Sequence, residues 1–325
     1  MFLSGSLSFI LYIISLITSV IGIEEFVTSN RNSRVPEINV AFVGNSIQYF
    51  NDCPRFMEAL SNNNIKQNSC LRPSSTLKGF LEYGNGMETI WRTENALNDN
   101  GEYDIGARNV TALLYGDNRH NAPQWDYVVM NDRSHNPAQN KTRQISLNVL
   151  QKGYAPMLAN IGATPVFIAT HAYRNNTNVT ATLGDVPTYT ARVKQGYEQY
   201  SQTLSQLLPT SHTPLIAPVG DAFLIVWREN LNLWYKLYNT DGLHPSPHGT
   251  YLQGCVIYCT IYGKAPLKSM ALPKDVSVMF RNARAMQPDG LTPGGDYLPY
   301  PNYEEALYLY DVAVRVVLLD YETGS

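Results

Sequence analysis

Ile38-Asn39-Val40-Ala41-Phe42-Val43-Gly44-Asn45-Ser46 is the stretch on which the fold turns. Six residues, mostly apolar, are too few for a helix and are closed by Gly-Asn-Ser, so the run reads as a buried strand entering a tight turn. Asp52 and Pro54 then suit a helix start, as cap and first-turn residue, and the helix is expected to stop in Asn62-Asn63-Asn64. A second strand is expected over Ile65 to Leu71.

The same alternation continues downstream. Further strands are predicted at Asp126 to Met130, Thr164 to Thr170 and Pro214 to Val219, and helices near 143–161, 187–208, from 221, and after Pro245. Apolar strands separated by helices, with no hairpin signals, point to an α/β domain whose parallel sheet is covered on both faces. Residues 263–301 read as an irregular, Pro- and Gly-rich wrap. A last helix should follow Asn302, with Glu305 completing a capping box.

Composition narrows the function. The 325 residues are 44% hydrophobic and 16% charged, with a net charge of −3 and no basic run, so a nucleic-acid partner is not expected. The 22 tyrosines would suit a surface meeting ring-containing ligands or ordinary amphipathic packing. Leu7 to Ile23 is apolar and precedes the first charge, Glu24. Residues 1–22 are expected to be a cleaved signal peptide, with an uncleaved anchor as the alternative, 23–37 a flexible segment, and 38–325 one domain. Sequons at Asn109, Asn140, Asn175 and Asn178 agree with a secreted glycoprotein that has no stable membrane association after cleavage. Of the four cysteines, Cys255 and Cys259 share a helix and are expected as buried thiols, whereas Cys53 and Cys70 could form a disulfide between the first helix and the second strand.

Three pieces carry chemistry. Gly44-Asn45-Ser46 lies at the carboxyl end of the first strand, the edge where open parallel sheets bind ligands, and there a serine exposes a nucleophile; a plain turn would look the same. Asp241-Gly242-Leu243-His244 supplies a base with an acid three residues upstream to fix its tautomer. His248, four residues beyond His244, would suit a metal, but Pro245 and Pro247 interrupt the helix such a pair needs. Asn131, directly after the third strand, is a candidate oxyanion donor or a turn former.

Together these blocks resemble the SGNH, or GDSL-like, hydrolases. Gly44-Asn45-Ser46 is similar to the Gly-Asp-Ser block, with Asn for Asp. Val129-Met130-Asn131-Asp132 is similar to the Gly-X-Asn-Asp block without its glycine, and Asp241-Gly242-Leu243-His244 matches Asp-X-X-His. The glycine expected after the second strand is replaced by Leu71-Arg72-Pro73-Ser74-Ser75-Thr76-Leu77. The resemblance implies a three-layer α/β/α, flavodoxin-like fold. It also implies a serine esterase with Ser46, Asp241 and His244 as the catalytic triad, and an oxyanion hole from Ser46, Asn131 and Ser74. Arg133 is read as a pocket-lining residue or part of a solvated loop, His171 as a structural histidine ahead of a substrate contact, and Asp221 as a helix cap. No cofactor or metal is required. A small-molecule or polysaccharide ester, acetyl or short acyl, is the expected substrate; the alternatives are a polysaccharide O-acetyltransferase and a silent glycan- or partner-binding protein.

Overall fold

The computed structural model describes residues 35–92, 94–117, 121–174, 182–284 and 298–319. The expected signal peptide, most of the 23–37 segment, and the sequons at Asn175 and Asn178 lie outside these residues. From Glu37 onward the chain forms one compact unit.

Five strands make one parallel sheet: β1 (Ile38–Gly44), β2 (Ile65–Leu71), β3 (Tyr127–Met130), β4 (Thr164–Ile168) and β5 (Leu215–Ala217), in the order β2-β1-β3-β4-β5. This is the flavodoxin-like order, and the chain reverses its direction of travel between β1 and β3. The helices in chain order are α1 (Ser46–Tyr49), α2 (Cys53–Leu60), α3 (Leu77–Tyr83), α4 (Val110–Tyr115), α5 (Asn140–Val149), α6 (Ala155–Ile161), α7 (Val186–Ser205), α8 (Val219–Glu229), α9 (Leu231–Lys236), α10 (Pro247–Tyr262), α11 (Lys268–Ala271) and α12 (Tyr303–Leu318). A π turn, Leu150–Tyr154, joins α5 to α6.

Strand periodicity separates two cores. Val40, Phe42, Val129, Val166 and Ile168 pack with α2 and α8–α12, whereas Ala41, Val43, Val128, Met130 and Phe167 pack with α3, α4, α6 and α7. The result is the three-layer α/β/α architecture expected from the sequence. Helix α10 is apolar on nearly every side because it is buried within its layer. Ser246 caps it through its hydroxyl, which accepts from His248 and Gly249 N–H. The capping box of α12 forms as predicted.

One expectation changes. All four cysteines are buried free thiols, and Cys53 and Cys70 form no disulfide. The sheet itself separates them, because Cys53 belongs to the α2 core and Cys70, on β2, to the opposite one. Several tyrosines serve packing, one of the two roles expected for them: Tyr154, Tyr189, Tyr197, Tyr200, Tyr251 and Tyr258 are among the largest fully buried side chains. Among the described residues no helix is long and apolar enough to cross a membrane.

Candidate active site

The carboxyl ends of β1 and β3 meet at the reversal in strand order, where a parallel sheet leaves a crevice. Gly44 ends β1 because no side chain fits there. A Cβ would lie 2.3 Å from Gln48 Nε2 and 2.5 Å from Asn131 Oδ1. Asn45 caps α1, its Oδ1 accepting from Ile47 N–H at 3.2 Å. Its Nδ2 donates to Ser75 O (3.0 Å) and Asp132 O (3.1 Å), joining the turns after β1, β2 and β3. A carboxylate has no hydrogen to make those bonds, so Asn suits this turn where the Asp of the Gly-Asp-Ser block that it resembles would not. Ser46 opens α1 and is 8% exposed.

Asn131 faces inward. It is fully buried, its Nδ2 donates to Asn45 Oδ1 (2.8 Å) and Asp132 O (3.0 Å), and its Oδ1 accepts from Asn45 N–H and Gln48 Nε2. With both amide hydrogens committed, the side chain holds the Ser46 turn and is not placed to meet an oxyanion, contrary to the expectation from sequence. Ser74, by contrast, adopts a left-handed φ of +53°, the conformation a glycine would supply.

Asp132 is the structural hub behind this edge. Its buried carboxylate accepts from Leu77 and Arg133 N–H, Asn136 Nδ2, Ser146 Oγ and Tyr200 Oη. Burial still pushes its carboxyl up, against the opposing pull of these donors. The Asn-Asp pair was visible in the sequence, but nothing local marked its second residue as the larger hub. Arg133 is exposed at the same strand end.

His244 Nδ1 lies 2.6 Å from Asp241 Oδ2. A carboxylate only accepts, so Nδ1 carries the proton and Nε2 is left as the basic nitrogen. The other carboxylate oxygen accepts from Leu243 N–H (2.8 Å) and His244 N–H (3.0 Å). Burial alone would raise the Asp241 carboxyl, but the His244 ring and these N–H groups outweigh it and hold it below the usual range. Gly242 provides the left-handed residue, φ +71°, that closes the loop.

The loop after β4 grips this segment. His171 Nε2 donates to Leu243 O at 3.0 Å, Arg174 N–H donates to Gly242 O, and the Arg174 guanidinium donates to Tyr235 O and Thr240 O. His171 is 0% exposed and stacks on Phe223 at 4.3 Å, so it supports the Asp241–His244 loop from behind and is not a surface contact for substrate. Burial pushes its imidazole down to about 4, leaving it neutral. His248 is tied to Glu305 Oε2 at 3.1 Å, and no metal-binding group of His, Cys, Asp or Glu occurs among the described residues. Asp221 pairs with Lys194 at 3.2 Å instead of capping α8.

The segment after Ser46 is fastened to the His244 loop and its helix. Asn51 Nδ2 donates to Pro245 O (3.0 Å) and Thr250 Oγ1 (2.9 Å), and Gln253 Nε2 donates to Ile47 O (3.0 Å). Phe50 stacks on the His244 ring with centroids 4.0 Å apart and planes 5° from parallel. No hydrogen bond engages Ser46 Oγ or His244 Nε2 among the described residues. Beyond Phe50, Asn51 and Asp52 are both left-handed, and Asp52 forms a bidentate pair with the buried Arg284 (2.8 and 2.9 Å), whose guanidinium lies 3.7 Å over Trp91. None of these couplings was legible in the sequence, because the partners are far apart along the chain.

No family model and no curated protein matches the chain. Solved structures do. A provisional SGNH hydrolase from Slackia heliotrinireducens is 22% identical, with a TM-score of 0.47 over 69% of this chain and 98% of its own. A DUF4886 family protein from Bacteroides uniformis is 16% identical, with a TM-score of 0.49 over 88% and 97%. A protein provisionally named a platelet activating factor, from Streptococcus pneumonia, is 14% identical, with a TM-score of 0.44 over 80% and 100%. Likeness at this level concerns the course of the chain alone. The strand order, the serine turn after β1 and the Asp-Gly-Leu-His loop are what make the fold SGNH-hydrolase-like.

Proposed function

We propose that this protein is a serine hydrolase of carboxylic esters, acting through an acyl intermediate on Ser46. The observation that supports this reading most is the His244–Asp241 pair at 2.6 Å, with Nε2 left basic, on a loop stitched to the segment that follows Ser46. In the scheme, Ser46 Oγ attacks the ester carbonyl carbon while His244 Nε2 takes its proton. The tetrahedral intermediate expels the alcohol, which leaves with that proton. Water then attacks the acyl-serine, giving its proton to Nε2. Collapse releases the carboxylic acid and restores Ser46 Oγ–H. The bond between His244 and Asp241 keeps one tautomer throughout. Catalytic hydrogen bonds are often long before substrate binds, so the Ser46–His244 contact is one that the reaction complex would close.

The developing oxyanion would be met by the backbone N–H of Ser46 and a donor from the turn holding Ser74, because the amide of Asn131 is occupied. Arg133, exposed beside this turn, is the residue proposed for substrate contact. The apolar leader and the sequons support export, and with it a short acyl or acetyl ester on an extracellular small molecule or polysaccharide. Asn140 is exposed, whereas Asn109 is half-buried and caps α4.

A fluorophosphonate probe followed by peptide mass spectrometry tests the reading. Adduct on Ser46, absent from Ser46→Ala, is the expected result; an unlabelled wild type, or an adduct on another serine, would refute it. Assaying acetyl transfer to sugar acceptors against release to water then separates a hydrolase from an acetyltransferase.

A further inference from the structure

The face of the His244 ring is covered by Phe50, four residues after Ser46 in the chain. The planes are 5° apart and the centroids 4.0 Å apart. Phe50 is itself 4% exposed, held among Tyr49, Leu71, Met87, Ile90 and Trp91, so the ring is a fixed surface. The backbone behind it is fixed as well: Asn51 is bonded to Pro245 O and Thr250, and Asp52 to Arg284.

We propose that Phe50 is a positioning residue for His244, fixing the plane of the imidazole and stabilising the imidazolium that forms when the base takes the serine proton. This rests on the serine-hydrolase reading above. An aromatic face carries negative electrostatic potential, so a cation lying on it is favoured, and more so out of water. Neutral imidazole gains little from the same stack. The interaction therefore strengthens as the proton moves, which is the condition for lowering a barrier.

The other groups around the imidazole leave this role to Phe50. Asp241 lies in the edge-on direction, at Nδ1. His171, on the β4 loop, is kept neutral by burial and places no charge beside His244. On the Phe50 side, Asn51 is uncharged and Asp52 is neutralised by Arg284. The sequence supplied no hint, since a Phe after Gly-Asn-Ser-Ile-Gln-Tyr reads only as a core residue.

The test replaces Phe50 with ring-fluorinated phenylalanines of increasing fluorine content, which keep the shape and drain the ring face, alongside Phe50→Tyr and Phe50→Leu. Ester hydrolysis is measured across pH, with Ser46 labelling of each protein as a check. The expected result is a stepwise fall in kcat with fluorination, reaching about 5–20-fold, at nearly constant KM. The acid limb of kcat/KM should move to lower pH by about half a unit to one unit, since the cationic form loses support. Phe50→Tyr should stay near wild type and Phe50→Leu should fall at least as far as the most fluorinated ring. Fluorinated proteins with unchanged kcat and an unmoved acid limb would overturn the proposal even if Phe50→Leu fails to fold. An unlabelled, inactive wild type would overturn the serine-hydrolase reading and this inference with it, whereas a labelled, active series insensitive to fluorine overturns Phe50 alone.

Discussion

Asn45 and Asn131 grip one another through their side chains and backbone: Asn131 Nδ2 donates to Asn45 Oδ1 at 2.8 Å, and Asn131 Oδ1 receives the Asn45 N–H at 3.3 Å. Each amide is fully used, so the turn carrying Ser46 is set by two asparagines that never need to meet substrate.

Asn45→Asp, which would turn Gly44-Asn45-Ser46 into the Gly-Asp-Ser block that it resembles, should therefore harm this protein. It removes the donors to Ser75 O and Asp132 O and places a carboxylate in a site 2% exposed. The expected loss is about 2–4 kcal/mol, read as a Tm several degrees lower, with slower labelling of Ser46. A variant as stable as wild type would show that the turn does not depend on those bonds.

Asp241→Asn should leave the fold intact but allow the amide to donate to Nδ1, so that Nε2 becomes protonated and loses its basicity. Hydrolysis should drop by about 10²–10⁴-fold with little change in KM. Steady-state kinetics beside a thermal melt decide this; equal losses in KM and kcat would argue for a binding role instead.

Acid should weaken the fold in two stages. Burial holds His171 at about 4, below its ordinary 6.5, so its contribution is complete above pH 6.5 and disappears as the pH falls toward 4. Glu305 is raised by burial but drawn down more strongly by Lys236, the Asn302 N–H and His248, to about 2 from 4.5; its contribution is lost as the pH falls through that lower window. Urea midpoints against pH should show both, each worth about 1–3 kcal/mol. Glu305→Gln should shrink the lower loss, to which Asp241, Asp104 and Glu229 also contribute, and His171→Phe, which keeps the stack on Phe223, should shrink the upper one, shared with His248 and His135.

The cysteines should behave as core atoms. Burial pushes Cys53, Cys70 and Cys259 up to about 12 and raises Cys255, so few thiolates are available. Native protein should react slowly with a thiol reagent, titrate four thiols once denatured, and keep its Tm in reductant. A reductant-sensitive Tm would restore the disulfide.

The legible parts of the molecule were those with a local cause. Strands showed as apolar runs, and the α12 capping box and Asp241–His244 pair showed because three residues span each. Helices α3, α4 and α9, of six or seven residues, were missed because less than two turns gives no period to detect. Asn131 was found but misread: its place at a strand end follows from sequence, while the direction of its amide follows from Asn45 and Gln48 packing beside it. Phe50 and Arg284 carried no signal, since their partners are chosen by tertiary folding.

The Asp52–Arg284 pair makes assembly of the site wait on a residue 232 positions further along the chain. A nascent chain that has not yet produced residue 284 has an Asp52 carboxylate with only Arg55, at 3.9 Å, to answer it. The bend next to Ser46 would then lack its clamp, and the site would be complete only once residue 284 has been made.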